Sequence, residues 1–156
     1  MSLSPGVFPR DEYFMRLALR EAERALEHDD VPIGAVIVHE GEVIAAARNE
    51  RELRRDPTAH AEVLALREAS ARLDSWRLLE TVLFVTLEPC AMCAGAIVLG
   101  RVPRVVYAAD DPKAGAAGSV FDILAEPRLN HRPVVARGLL ADEAAELLRA
   151  FFVSRR

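Results

Sequence analysis

The chain has 156 residues, 51% of them hydrophobic, which is enough for one buried core, and a formal net charge of −4. No apolar run approaches the length of a membrane span, which excludes a transmembrane protein, and the acidic balance excludes one that grips nucleic acid through diffuse positive charge, while leaving room for a local basic patch. Met1 to Pro9 carries neither a cationic patch nor an apolar segment, so no secretion signal is expected.

Taken in order, Asp11 to His28 repeats apolar residues at helical spacing (Phe14, Leu17, Ala18, Ala22, Ala25, Leu26). Asp11 is the expected N-cap, His28 suits the C-terminal dipole, and Asp29-Asp30 ends this scaffold helix. Ile33 to His39 reads as a buried strand, Glu40-Gly41 as a turn, and Val43 to Ala47 as the returning strand of a hairpin. Gly34 is either a packing glycine or a place where a ligand approaches the backbone. Asn49 ends the hairpin as a turn residue or as an amide that pairs with a base. Arg48, Arg51, Arg54 and Arg55 follow, interleaved with Glu50, Glu52 and Asp56, as a solvated loop or a phosphate-facing rim.

Thr58 to Leu73 is the second expected helix, opened by Asp56-Pro57-Thr58 and buried along Val63, Leu66, Ala69 and Leu73. Trp76 is expected to pack. Val82 to Thr86 is a third strand running into Glu88-Pro89-Cys90, and Cys90 to Leu99 is a third helix stopped by Gly100. Val102 to Ala108 is a fourth strand, Asp110 to Ser119 a loop, Val120 to Leu124 a short helix, Pro133 to Ala136 a fifth, edge strand, and Ala141 to Val153 the last helix. The alternation of strands and helices predicts a three-layer α/β/α sandwich, and the opening hairpin makes its five-stranded sheet mixed. With no repeat or linker, residues 1–156 are expected to form one domain.

The chemistry concentrates between His60 and Cys93. One imidazole and two thiols suit zinc, whereas calcium and magnesium take oxygen. Three protein ligands, His60, Cys90 and Cys93, leave the fourth tetrahedral position for water, as in a catalytic site. Cys90 and Cys93 share a helix face, and their place in a first turn favours thiolate. His60 and Glu62 can face one ion only if it lies beyond a helix N-terminus, so two such termini should converge on the metal. Glu62 is then the general acid and base. A structural zinc module is the rival of another class, and it would need a fourth protein ligand. The Asp110 to Ser119 loop lacks the ending of a nucleoside-triphosphate-binding loop.

The His60-Ala61-Glu62 and Pro89-Cys90-Ala91-Met92-Cys93 signatures make the chain resemble the zinc-dependent nucleobase deaminases. Within them it is similar to the bacterial tRNA-specific adenosine deaminases, through Val31 to Val36, Asn49, Asp56 to Glu62, Thr86 to Gly95, Arg104 to Tyr107, Asp111 to Ser119, Asn130-His131 and Phe151-Phe152. The resemblance implies a cytidine deaminase-like fold and a zinc-dependent hydrolase with one Zn2+ per subunit. It implies adenosine-to-inosine conversion at the wobble position, 34, of the anticodon, of an arginine tRNA above all, in the cytoplasm. It also implies that Asn49 holds the flipped base, that Ile33 packs against it, that Asp111 and Lys113 meet the RNA backbone, and that a homodimer forms through the third helix and its neighbours. For Phe152 and for Arg155 in the tail Ser154-Arg155-Arg156, the alternatives are core aromatics with a solvated tail or a stacking and phosphate contact with the anticodon loop. Glu50-Arg51 departs from the Arg-Pro common in relatives. The rival within the fold is a small-molecule guanine or cytosine/deoxycytidylate deaminase.

Overall fold

The computed structural model describes residues 6–155; residues 1–5 and Arg156, the last residue of the basic tail, lie outside them. β1 (Gly34–His39) and β2 (Glu42–Arg48) form the expected antiparallel hairpin. Its turn residues Glu40 and Gly41 have φ of 51° and 79°, the left-handed pair that matches a two-residue hairpin to the twist of its strands. β1 pairs antiparallel with β3 (Thr81–Leu87), β3 parallel with β4 (Arg104–Ala109), and β4 parallel with β5 (Val134–Arg137). The order is β2-β1-β3-β4-β5, so the mixed five-stranded sheet is as expected and β5 lies at an edge.

The α-helices among the described residues are α1 (Asp11–Arg24), α2 (Arg51–Arg54), α3 (Ala61–Leu73), α4 (Ala91–Leu99) and α5 (Ala141–Val153). Strand alternation sorts them into layers. Ala35, Ile37, Leu83, Val85, Val105 and Tyr107 face a core shared with Leu64, Ala65 and Ala69 of α3 and Ala94 and Ile97 of α4. Val36, Val38, Phe84, Val106 and Ala108 face the opposite core, filled by Phe14, Met15 and Ala18 of α1 and Ala144 of α5.

Several expectations change in detail. α1 finishes in a tighter turn over Ala25–His28, and Asp29 closes it at φ 64°. Arg10, not Asp11, occupies the cap position of α1; Asp11 is buried, accepts the Phe8 N–H at 2.7 Å and pairs with Arg104, a partner 93 residues away that no local pattern reveals. Gly34 is a packing glycine, since a Cβ there would lie 2.0 Å from the Ala18 carbonyl oxygen on α1. The second long helix starts at Ala61, not Thr58, because the Asp56 carboxylate accepts the Thr58 N–H (2.8 Å) and hydroxyl (2.7 Å) and closes a separate turn. The helix after β3 starts at Ala91, with Cys90 as its cap and Pro89 outside. Gly100 has an ordinary φ of −78°; Arg101 takes the left-handed conformation, and its guanidinium caps the Val98 carbonyl at 2.8 Å. The expected 120–124 helix is one short turn, Ile123–Ala125. Trp76 is exposed, with the Arg77 guanidinium 4.2 Å from its ring centre, and α2 replaces part of the expected loop.

Candidate metal centre and substrate pocket

α3 and α4 each carry a candidate ligand at the cap position. His60 (φ −78°, ψ 150°) and Cys90 (φ −76°, ψ 177°) are extended, while Glu62 and Cys93 sit in the first helical turns. That break in helical geometry is how residues two or three apart can face one point beyond a helix end. The usual capping duty falls elsewhere on α3. Buried Asn49 accepts the Ala61 N–H on its Oδ1 at 2.9 Å, which leaves the His60 ring free to act as a ligand.

The ligand atoms of His60, Cys90 and Cys93 all lie within 4.8 Å of one another. His60 Nδ1 is 3.7 Å from Cys90 Sγ and 3.5 Å from Cys93 Sγ. Tetrahedral zinc, with bonds of about 2.3 Å to sulfur and 2.0–2.1 Å to nitrogen, separates such atoms by about 3.6 Å. Donor chemistry and spacing therefore both fit this metal. A second group, His39, Glu40 and Glu80, has two exposed carboxylates at the far end of β1 and no sulfur donor.

The electrostatics are those of a thiolate site. A hydrogen bond from the Cys93 thiol, helped by His60 and opposed by burial, pulls Cys90 down to about 3. The same shared proton, together with burial, pushes Cys93 up. The hydrogen bond to Cys90 raises His60 above its ordinary value. Glu62 is buried, and burial drives its carboxyl up to about 7, a value suited to taking and giving protons near neutrality. Its carboxylate also lies beside Cys93.

His60 alone of these four residues lines a cavity of about 350 Å³, together with Ile33, Asn49, Arg51, Asp111, Lys113 and Phe152 among others, so the group forms a floor behind it. Six of the residues singled out in the sequence thus meet in one pocket: Ile33, Asn49, His60, Asp111, Lys113 and Phe152. Asp111 has a local task as well, since its Oδ1 accepts the N–H groups of Lys113 (3.0 Å) and Ala114 (3.2 Å). Arg155 does not line the cavity. It lies over the Phe151 ring and donates to Asp29 at 2.9 Å. A larger groove of about 780 Å³, between α1 and α5, contains none of the metal-centre residues.

Two buried carboxylates escaped the sequence reading. Glu88 sits in the E-P-C turn and is 2% exposed. It accepts the N–H groups of Asp111 (3.0 Å), Ala117 (2.9 Å) and Ser119 (3.1 Å), and the Ser119 hydroxyl. Burial opposes its charge, but these bonds, led by the Ser119 hydroxyl, outweigh it and hold the carboxyl below the usual range. Gly115 is required beside it, because a Cβ there would lie 2.3 Å from the Glu88 carboxyl carbon. Asp30 plays the same part for α2, accepting the N–H groups of Val31 (2.8 Å) and Glu52 (3.0 Å) and the Arg51 guanidinium (3.2 Å). The only signal in the sequence was an acid beside a turn, which is usually solvated.

Residues 10–156 match the model of the MafB19-like deaminase family. A tRNA-specific adenosine deaminase of Streptococcus pyogenes (serotype M18) is 51% identical over 95% of this chain and 93% of its own length. Among solved structures, one from work on A-to-I editing by tRNA:A34 deaminases at the wobble position of transfer RNA is 48% identical. It covers 87% of this chain and 99% of its own, with a TM-score of 0.84. A guanine deaminase from Nitrosomonas europaea is 28% identical over 97% of both chains, with a TM-score of 0.76.

Proposed function

This chain belongs to the tRNA-specific adenosine deaminase family, and from that premise we propose that it hydrolyses adenosine to inosine at the anticodon wobble position of a tRNA. The observation that carries the reading is the His60, Cys90, Cys93 and Glu62 constellation at two converging helix N-termini, which meets a cavity wide enough for a base through His60. His60, Cys90 and Cys93 would hold zinc, one per subunit. When bound, zinc supplies a water activated for attack near neutral pH. Glu62 takes a proton from the attacking water as its oxygen bonds to C6, and passes it to a ring nitrogen. It then takes the proton of the new C6 hydroxyl and delivers it to the amine, so the C6 carbonyl forms as the C6–N bond breaks and ammonia leaves.

The remaining residues bind and orient. Asn49 has its Oδ1 committed to the Ala61 N–H, so its amide N–H groups are the ones left for the base. Ile33 would pack on that base and Phe152 stack nearby, both lining the cavity. Lys113 would meet phosphate, with Asp111 shaping the turn that presents it. Arg155 would reach RNA only by exchanging Asp29 for a phosphate. A wobble base in a single-stranded loop is already unpaired, which makes its extrusion into the cavity inexpensive.

We assign an arginine tRNA by kinship with the family, and read residues 1–156 as one deaminase domain, of which 10–156 fit the family model. Two free thiols match a reducing cytoplasm, and among the described residues no helix is long and apolar enough to cross a membrane. A homodimer would use the apolar groove between α3 and α4, of about 400 Å³, with Leu99 70% exposed at its edge; a monomer by light scattering at micromolar concentration would contradict it. The functional reading is tested by digesting a zinc-treated reaction on an arginine anticodon stem-loop and locating inosine by mass spectrometry. Inosine at the wobble position is expected. Its absence, or its appearance at other adenosines equally, would overturn the reading.

A further inference from the structure

The four arginines of the Arg48–Arg55 segment are in different situations. Arg48 is mostly buried and paired with Glu21 (3.4 Å) and Glu50 (3.6 Å). Arg54 is exposed and paired with Glu50 at 3.1 Å. Arg55 is exposed in a left-handed conformation (φ 53°) at the end of α2 and does not line the cavity. Arg51 alone of the four lines it, together with His60 and Lys113.

Arg51 is also held in place. Its Nε and Nη2 each donate to Asp30 Oδ1 at 3.2 Å. Asp30 is fully buried and is itself fixed by the N–H groups of Val31 and Glu52. The guanidinium is therefore oriented by one edge, while its Nη1 has no acceptor among the described residues and the side chain is 38% exposed. Its ordering entropy is already spent on Asp30, so a new bond from Nη1 costs little further freedom. Asp110 and Asp111 share the cavity, but their carboxylates are engaged elsewhere, with the Tyr107 hydroxyl (2.9 Å) and the N–H groups of Lys113 and Ala114.

We propose that Arg51 is the phosphate contact of this segment, gripping the RNA backbone next to the target nucleotide while Lys113 serves from a separate loop. A free base has no anionic oxygen for Arg51 to meet, whereas a nucleotide within RNA brings one to the pocket mouth, so Arg51 favours the polynucleotide over the base. This inference rests on the RNA reading given above.

The test measures stem-loop binding by fluorescence anisotropy across a salt series, in the Glu62→Gln background so that the RNA is not turned over. Arg51→Ala is expected to raise Kd about tenfold or more. It should also flatten the slope of log affinity against log salt by about 0.7, the contribution of one phosphate on a single strand. Arg51→Gln keeps an N–H for Asp30 but no charge, and should lose the same slope; it decides the matter if Arg51→Ala fails to fold. Arg55→Ala, removing an exposed charge outside the cavity, should leave the slope near that of the parent. A parental slope in Arg51→Gln, or an equal loss in Arg55→Ala, would overturn the proposal. Inosine formation by the unaltered chain, followed separately, distinguishes the failure of this inference from failure of the RNA reading.

Discussion

At the floor of the pocket, His60, Glu62, Cys90 and Cys93 are placed by the first turns of two helices packed on one face of the sheet. At the rim, Arg51 and the 110–119 loop are placed by two buried carboxylates, Asp30 and Glu88, whose partners are backbone N–H groups of other segments. Within each helix the floor follows a local geometry, an extended cap residue and a helical residue two or three positions on, while the fold adds the Asn49 cap and brings the two helix ends together. The rim needs contacts spanning 21 to 31 residues of chain. On the proposed reading chemistry belongs to the floor and choice of substrate to the rim, and each should be alterable with the other left in place.

The largest effect should come from the floor's ligands. Cys90→Ala removes one of three protein ligands, and elemental analysis of the purified variant should find the zinc lost and activity gone with it; zinc retained at one per chain would contradict the ligand assignment. Next is Glu62→Gln, which keeps the size of the side chain but cannot move protons. Zinc should stay bound while turnover on the stem-loop falls by about 10²–10⁴-fold, the usual worth of a general acid–base. Unchanged turnover would remove Glu62 from its role.

A smaller and different effect is expected at the rim. Glu88→Gln places an amide N–H where a carboxylate oxygen accepted two hydrogen bonds, so part of the 110–119 loop loses its anchor. KM for the stem-loop should rise about tenfold, the equivalent of one or two lost buried hydrogen bonds, with zinc content unchanged. Loss of zinc in parallel would mean that Glu88 supports the floor, its neighbour in sequence, and would erase the distinction between the two regions.

The same distinction explains what the sequence made legible. The short apolar runs at Ile33 to His39 and Val82 to Thr86 made the buried strands legible, because a strand covered on both faces is apolar throughout, but which residue faces which core came only with the fold. The convergence of two helix ends followed from the impossibility of pointing His60 and Glu62 the same way inside a helix. Helix starts were misplaced by up to three residues, since Asp56 spends its side chain on Thr58 and the cap of α3 comes instead from Asn49 on another segment. The sequence reads Asp11 as a helix cap, Asp30 as a helix end and Glu88 only as part of the turn before Cys90, and shows none of them as a buried anchor. Their burial depends on partners brought close only by the folded sheet. Gly34 was open between ligand and packing until the path of α1 across it was known.

The most direct measurement compares substrates on one preparation. The zinc-loaded chain is given, in parallel, an arginine anticodon stem-loop with wobble adenosine, free adenosine, cytidine and guanine, and each product is quantified by mass spectrometry. A floor that deaminates beneath a rim that selects RNA predicts inosine in the stem-loop alone. Turnover of guanine or another small substrate, with the stem-loop untouched, would keep the floor chemistry and contradict the role given to the rim.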